Sequence, residues 1–237
     1  ALLPGRHPQR GGVVHWTQGD MNSAKGIYMA LEEVTLAEAL KPAGYRTALY
    51  GKWHLGAHRD YGPMKQGFDE FFGIRDGFID NYNHFFLHGN GFHDLYEGTM
   101  PVKVPGKYFP ELMVQRALKF IDKNKDRPFF LYLSHFSVHD PIQGRKDLVE
   151  KYRAKLNKLA PPEGPAFILE GNPDDETPLS RQQLKDLLSK PSHQGHKVLP
   201  QRTIKIKQRQ DNIEFAAMVE SVDESLGLSH IHISEPT

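Results

Sequence analysis

Apolar positions in the front half of the chain alternate between helical spacing and short unbroken runs. Thr35 and Glu38 have the spacing of a capping box, which predicts a short helix with a strand after it at residues 45–50. Further on, helical spacing at residues 113–121 precedes an apolar run at residues 129–133, which predicts a fully buried strand. Helices that alternate with strands are typical of a mainly parallel sheet covered by helices, so the pattern predicts an α/β fold.

The remaining segments are less regular. Residues 67–98 are rich in aromatic residues, Asn, Gly and His without a clean period, and we expect an ordered loop region there. A helical pattern at residues 148–159 comes before a Pro- and Gly-rich stretch, and we expect a surface insertion over about residues 161–210. Helical spacing after Ser180 and after Asp211 predicts two further helices.

Composition limits the chemistry that these 237 residues can carry. The absence of cysteine from the sequence excludes a disulfide scaffold, a thiolate zinc site and a cysteine nucleophile within it. A formal net charge of +1 is too balanced for wholesale attraction to nucleic acid or an anionic membrane, so any bound anion must be held locally. No apolar run approaches the roughly 20 residues of a membrane span. The sequence contains 13 histidines, an unusually high number, and their positions matter more than how many there are.

The sharpest local signal is the segment Gly-Lys-Trp-His-Leu-Gly at residues 51–56, which directly follows a predicted strand. In open α/β sheets ligands bind at the carboxyl ends of strands, where Lys52 and His54 would project from one face of an extended segment. Lysine supplies a point charge for an anionic oxygen, and histidine supplies a hydrogen-bond donor or acceptor. The alternative is a solvated lysine beside a surface histidine. A P-loop is excluded because Trp53 stands where Ser or Thr is required.

A second group of histidines follows the next predicted strand, at residues 134–141. His135 and His139 have the spacing of two zinc ligands on a helix, as do His54 and His58, but neither pair has the adjacent Glu of the H-E-x-x-H motif. We therefore favour structural or anion-facing histidines over metal ligands. Two such strand ends can converge on one crevice.

Three more histidines, His84, His88 and His93, lie in the predicted loop region. They either line a substrate pocket or are surface histidines.

The stretch from Lys185 to Arg209 holds seven Lys or Arg residues against one acid, a composition that would suit a nucleic-acid contact. It contains no aromatic residue on which a base could stack, so a solvated basic face is favoured and a polyanionic substrate stays open.

Several segments in order along residues 1–227 together resemble the sulfatase family, of the arylsulfatase type within the alkaline-phosphatase-like superfamily. One such segment would be a weak match, whereas this many in family order are a strong one. The segments that carry the resemblance are residues 1–8, 35–40, 44–47, 51–56, 67–73, 80–82 and 129–141.

The resemblance implies a mixed, mainly parallel sheet sandwiched between helices, and the hydrolysis of sulfate monoesters through a formylglycine nucleophile and calcium. By motif match, Lys52 contacts sulfate and the nucleophile, and His54 hydrogen-bonds the formylglycine hydroxyl. His139 contacts sulfate or assists the leaving oxygen, His84 is at best a substrate contact, and His135 has no secure counterpart. Preorganised cations suit this reaction because a sulfate ester carries spread negative charge.

The same resemblance places other parts of the site outside these residues. We expect the modified residue before Ala1 and the calcium ligands before Ala1 and after Gly227, hence no metal ligand within this chain. We expect no activity from the chain alone. Residues 228–237 do not continue the helical pattern and look like a translated sequencing-adapter tail, so they are left out of the predicted domain at residues 1–227.

Alternatives to a sulfatase remain at this point. A phosphatase or phosphodiesterase of the same superfamily would use a similar scaffold, and a non-catalytic anion-binding protein would keep the basic residues without the nucleophile. The expected partner is a sulfated small molecule or glycan, with no nucleic acid and no membrane span. Family habit predicts a periplasmic or secreted location.

Overall fold

The computed structural model of the chain describes residues 2–13, 27–87, 91–189 and 203–234. The helices are α1 (Leu36–Leu40), α2 (Phe109–Asn124), α3 (Lys146–Leu156), α4 (Arg181–Ser189) and α5 (Ile213–Ser234). The strands are β1 (Arg46–Lys52), β2 (Glu70–Ile74), β3 (Tyr96–Glu97), β4 (Met100–Pro101), β5 (Phe129–Ser134), β6 (Phe167–Gly171) and β7 (Thr203–Lys207). Helices and strands alternate from α2 onward, whereas in the front half, where the apolar pattern predicts alternation, β1 to β4 follow one another with no α-helix among the described residues between them.

A mixed sheet with the strand order β4-β3-β2-β1-β5 organises the larger part of the structure. Strand β1 pairs in parallel with both β2 and β5, whereas β3 and β4 pair antiparallel at the other edge. Alternate residues of β1 point to opposite faces, so Tyr50 packs in a core with α2 while Leu49 packs in a core with Ala37 of α1. The predicted mainly parallel sheet between helices is confirmed.

Helix α1 begins where its capping box predicts. The Glu38 backbone N–H donates to the Thr35 hydroxyl over 3.1 Å, and the Thr35 N–H donates to the Glu38 carboxylate over 2.8 Å. These bonds satisfy two of the N–H groups that a helix start leaves without partners. The Thr35 hydroxyl also donates to the carbonyl of buried Gln66 over 2.9 Å, which ties the helix start to the segment before β2.

Two predictions about strands are wrong. Strand β2 lies at residues 70–74, inside the stretch predicted as a loop region, because its short Phe-Phe-Gly-Ile run follows two acidic residues and shows no period of its own. Strand β5 is half-buried at all six positions instead of fully buried. It lies at the edge of the described sheet, so only one side of it is covered by a neighbouring strand.

Residues 153–212 form a second compact unit, separate from the unit made by residues 1–152 and 213–237. Within it β6 and β7 pair antiparallel and α4 packs against β6. Helix α4 is capped by Ser180, whose hydroxyl accepts the Gln183 backbone N–H over 3.3 Å, while the Ser180 N–H donates to the Gln183 side chain over 2.8 Å. The sequence pattern predicts this helix but neither strand. The proposed insertion at residues 161–210 falls inside this unit, and its boundaries stay a prediction.

Helix α5 packs against α2 and continues through residue 234, into the stretch that we expect to be a non-native tail. The origin of that tail stays a prediction. No helix among the described residues is both long enough and apolar enough to cross a membrane.

Candidate functional site

The candidate site lies at the carboxyl ends of the neighbouring parallel strands β1 and β5. Gly51 of β1 is opposite Ser134 of β5, and Lys52 is the last residue of β1. The Trp53 N–H donates to the Ile74 carbonyl over 2.9 Å, which holds the chain beside β2 for one residue more. This edge is where open α/β sheets bind their ligands.

Two residues in left-handed backbone conformations shape the end of β1. Gly51 has φ 125°, and a Cβ atom there would lie 1.8 Å from the Ser134 carbonyl oxygen, so only glycine fits between the strands. His54 has φ 55°, a conformation that histidine adopts more readily than most side chains. Its N–H donates to the Arg75 carbonyl over 3.0 Å. The strand therefore ends in a sharp change of direction at His54.

The Lys52 side chain is half-buried and passes over Gly77. A Cβ atom on Gly77 would lie 2.4 Å from Lys52 Cε, so the lysine occupies the space that a side chain there would fill. Its Nζ lies 5.7 Å from the ring centre of Phe136, a cation–π contact. Burial lowers the pKa of Lys52 below its ordinary value, and the negative charges of Asp76 and Asp94 oppose that change.

Asp94 is a buried carboxylate that the sequence pattern does not single out. Its side chain is 1% exposed and accepts the backbone N–H groups of Arg75, Asp76 and Gly77 over 3.1, 2.9 and 3.3 Å. Burial raises its pKa, whereas these three bonds favour the ionised form. The carboxylate therefore fixes the backbone turn on which Lys52 lies.

His54 is held neutral by its surroundings. Burial, followed by the charges of Lys52 and His139, lowers the pKa of His54 to about 4. Its Nε2 atom is buried and has no hydrogen-bond partner among the described residues. A buried ring nitrogen without a partner is costly, so this atom marks a place where a further group would bind.

His139 packs on the same aromatic ring as Lys52. Its imidazole stacks on Phe136 with centroids 5.1 Å apart and meets the edge of Phe78 at 5.4 Å. Nδ1 lies 2.7 Å from the Asp140 carbonyl oxygen, and because a carbonyl only accepts, Nδ1 carries the proton. This contact leaves Nε2 to face other groups. The ring is largely open to solvent.

A cavity of about 250 Å³ opens beside the end of β1. Its lining is mostly apolar and its titratable side chains are Lys52, His54 and Tyr132, which is the usual character of a small-molecule site. The residues that line it are Leu2, Leu3, Pro4, Pro8, Gly11, Val13, Met29, Lys52, Trp53, His54, Leu55, Tyr132 and Ser134.

The structure thus brings Lys52, His54 and His139 together, as expected from two converging strand ends. Lys52 and His139 share the Phe136 ring, and the charges of both act on His54. Their roles toward sulfate stay predictions. His135 is apart from this group, because its Nε2 lies 3.1 Å from the Ser225 hydroxyl of α5 and burial lowers its pKa.

His84 is enclosed by the protein instead of lining an open pocket. It is fully buried, and its Nε2–H donates to the Lys107 carbonyl over 3.0 Å. Burial lowers its pKa to about 4. Its ring packs at 6.2 Å from His93 and 6.4 Å from Phe109. These contacts favour a structural role, and substrate contact by His84 stays a prediction; His88 lies outside the described residues.

In the part of the chain that the structure describes, no group of three or more His, Asp or Glu side chains is placed to hold a metal ion. His58, one of the histidines considered as a zinc ligand, has its Nδ1 3.4 Å from the Asp60 carboxylate. These residues therefore do not fit a calcium site of their own.

The residues that sequence reasoning missed are those that position the cation. Phe136 and Gly77 contact Lys52 directly, and Asp94 holds the turn beneath it. Phe136 lies between His135 and His139, and those histidines are the candidate residues in that segment. Gly77 and Asp94 lie in a stretch without periodicity. No pattern in the sequence marks them, because their role depends on long-range packing.

The chain is similar to several curated sulfatases. It is 34% identical to arylsulfatase G of Rattus norvegicus over 193 residues, which cover 67% of this chain and 36% of that protein. It is 36% identical to arylsulfatase J of Mus musculus over 135 residues, covering 54% of this chain and 23% of that protein. It is 32% identical to N-acetylgalactosamine-6-sulfatase of Homo sapiens over 166 residues, covering 62% and 30%. The chain thus spans about a quarter to a third of these relatives.

Solved structures share the fold. The crystal structure of Ps i-CgsB in complex with k-i-k-neocarrahexaose matches with a TM-score of 0.63 and 21% identity, over 98% of this chain and 42% of that chain. The structure of BT4656 in complex with D-glucosamine-2-N,6-O-disulfate matches with a TM-score of 0.56 and 18% identity, over 99% and 51%. Identities this low support the arrangement of the elements and nothing finer.

A family match covers almost the whole chain. The family model described as Sulfatase matches residues 1–227, a span that includes every residue of the candidate site. The mixed, mainly parallel sheet and the basic residues at its strand ends agree with that match. The chain belongs to the sulfatase family.

Proposed function

We propose that Lys52, His54 and His139 form part of the active site of a sulfuric ester hydrolase that cleaves sulfate monoesters. The observation that carries the proposal is the grouping of these side chains at the ends of β1 and β5, with Lys52 and His139 acting on a neutral His54. Family membership supplies the reaction class.

Lys52 is the residue that would bind sulfate oxygens. Its ammonium group has lost part of its hydration by burial, which strengthens its attraction for an anion. A bound sulfate would also raise its pKa again, because a nearby negative charge favours the ammonium form. Phe136 and the turn fixed by Asp94 hold this charge in place before the substrate arrives.

His54 would hold the nucleophile. The proposal includes a formylglycine residue, which supplies a hydroxyl nucleophile in this family, and the partnerless Nε2 of His54 fits a hydrogen bond to such a hydroxyl. With a pKa of about 4, the imidazole is neutral at pH 7 and can either donate or accept one proton at that atom. The residue orients a hydroxyl without adding a competing positive charge.

His139 would serve the oxygen that leaves with the alcohol. Nδ1 is committed to the Asp140 carbonyl, so Nε2 is the nitrogen that would deliver a proton to the leaving oxygen. When the S–O bond breaks, that proton neutralises the alkoxide. The open position of His139 lets substrates of different size approach this nitrogen.

Other parts of the proposal rest on the family alone. Calcium would act as a further positive charge toward sulfate, and we assign it no residue of this chain because the described residues do not fit it. We propose a sulfated small molecule or glycan as the substrate, no nucleic-acid partner, and a periplasmic or secreted location.

The test is to replace Lys52 in the whole enzyme. We expect Lys52→Met to lower kcat for an aryl sulfate by about 10²- to 10³-fold, because a charge aimed at the developing sulfate charge is lost. Lys65→Met is the matched control, since Lys65 is an exposed lysine of the same unit, and it leaves kcat unchanged.

Three results would contradict the proposal. Unchanged turnover by Lys52→Met would remove the residue from the site. Faster turnover of an aryl phosphate than of the aryl sulfate by the unaltered enzyme would identify a phosphatase. Saturable binding of sulfate without turnover of either ester would identify an anion-binding protein.

A further inference from the structure

The two-stranded antiparallel sheet of β6 and β7 in the second unit has two unlike faces. Phe167 is directly opposite Lys207, and Leu169 is opposite Lys205, so these four side chains share one face. Glu170 is on the other face, where it forms an ion pair with Arg181 of α4. The face with the lysines is therefore opposite the one that carries the Glu170–Arg181 contact with α4.

An exposed aromatic ring lies at one end of the lysine-bearing face, in the terminal residue pair of the two strands. Phe167 is 40% exposed, and the ammonium nitrogens of Lys205 and Lys207 lie 4.0 and 6.0 Å from its ring centre. Both ammonium groups thus lie over the ring as cation–π contacts. A partly exposed aromatic ring and two cations are therefore presented together on the two paired strands.

The two lysines differ in how much of their charge is free. Lys207 lies 2.5 Å from the Asp211 carboxylate and so is partly neutralised. Lys205 has no carboxylate within ion-pair distance among the described residues, and its ammonium nitrogen lies 4.0 Å from the centre of the Phe167 ring. An anion that approaches this face would therefore be drawn to Lys205 first.

The chemistry of the face matches a sulfated sugar. One side of a pyranose ring presents C–H groups that pack on an aromatic face, and a sulfate group projects from the ring edge toward any nearby cation. We propose that Phe167, Lys205 and Lys207 bind a sulfated glycan chain, with one sugar ring on Phe167 and one sulfate at Lys205. The choice of a sulfated sugar over other polyanions rests on the proposed function.

Binding is tested on the 237-residue chain with a fluorescently labelled heparin oligosaccharide, by anisotropy at physiological salt. We expect Lys205→Gln to raise Kd by about tenfold, the effect of one lost charge-assisted contact. Phe167→Leu keeps the charge and removes the flat ring, and we expect it to raise Kd by about fivefold. Lys158→Gln is the matched control, because it removes the same charge from another exposed lysine of this unit and leaves Kd unchanged.

The same experiment can overturn the proposal. An equal loss with Lys158→Gln would show attraction to net charge only, and equal affinity for single-stranded DNA would show that sugars are not preferred. Circular dichroism would reveal whether Phe167→Leu unfolds the two-stranded sheet. In that case Lys205→Gln remains the test, since an unchanged Kd for that variant overturns the proposed binding site. Aryl sulfate turnover by the unaltered whole enzyme is a separate measurement, so a failure of the proposed function is distinguishable from a failure of this surface.

Discussion

His54 and His84 share a left-handed backbone conformation and a lowered pKa, and they differ in what surrounds them. Both have a left-handed backbone, with φ 55° and 64°, and burial lowers the pKa of each to about 4. His54 lines a cavity beside Lys52, and its Nε2 has no partner among the described residues. His84 is fully buried and its Nε2–H is bonded to the Lys107 carbonyl, whereas its Nδ1, like Nε2 of His54, has no partner among the described residues.

The difference shows that burial and a lowered pKa do not by themselves identify a functional histidine. Both rings avoid the charged form because they have left water. Only His54 combines that state with an open cavity and a neighbouring cation, which are the features that let a ligand reach it. The neutral ring of His84 instead donates a hydrogen bond to the Lys107 carbonyl.

Replacing each histidine by asparagine gives the largest contrast, because asparagine tolerates the left-handed backbone at both positions. In the whole enzyme we expect His54→Asn to lower kcat for an aryl sulfate by about 100-fold and to change the free energy of unfolding little. We expect His84→Asn to lower the free energy of unfolding by about 2–4 kcal/mol, because it leaves a cavity and an unpaired carbonyl.

Steady-state kinetics and urea denaturation measure the two effects separately. Activity is expressed per folded molecule, so that instability of the His84 variant does not pass for loss of catalysis. A folded His84→Asn enzyme with a 100-fold lower kcat, or a His54→Asn enzyme with full activity, would reverse the assignment of the two residues.

The support under Lys52 is tested by Gly77→Ala. The added Cβ would lie 2.4 Å from Lys52 Cε at a position with φ 111°, so the lysine must move and the backbone is strained. We expect a loss of about 1–3 kcal/mol in the free energy of unfolding and a lower affinity for sulfate. Gly98→Ala is the control, since Gly98 has φ 59° and nothing within 4 Å of the new Cβ. If both variants bind sulfate equally, the close contact with Gly77 does not position the lysine.

Local pattern was enough to predict some of these features. The capping box of Thr35 and Glu38 predicts α1, and the apolar runs predict β1 and β5, because each signal is contained in a few neighbouring residues. Lys52, His54 and His139 are predicted as one group because each follows a strand, and the ends of parallel strands meet.

Other features depend on contacts that no local pattern encodes. Strand β2 has only five residues, too few to show a period of its own. It is a strand because it pairs with β1, a contact that its local sequence does not indicate. The edge position of β5 is a property of the whole sheet and not of its apolar run. His84 and His93 are equally plain in the sequence, and only packing shows that His84 is sealed.

The smallest expected effect is a change in how the free energy of unfolding depends on pH when His84 is replaced. In the unfolded chain a histidine takes up a proton near pH 6.5, whereas His54 and His84 resist protonation down to about pH 4 when folded. The unfolded state therefore binds more protons in this window, and the free energy of unfolding falls as pH is lowered from about 6.5 to 4.

We expect His84→Gln to flatten this fall, since glutamine does not titrate, when urea denaturation is measured from pH 7 to 5. Asp94, whose pKa is raised by burial, acts in the opposite direction and is common to both proteins, so the difference between their slopes isolates His84. Parallel slopes would mean that His84 is protonated in the folded state, and its likeness to His54 would be lost.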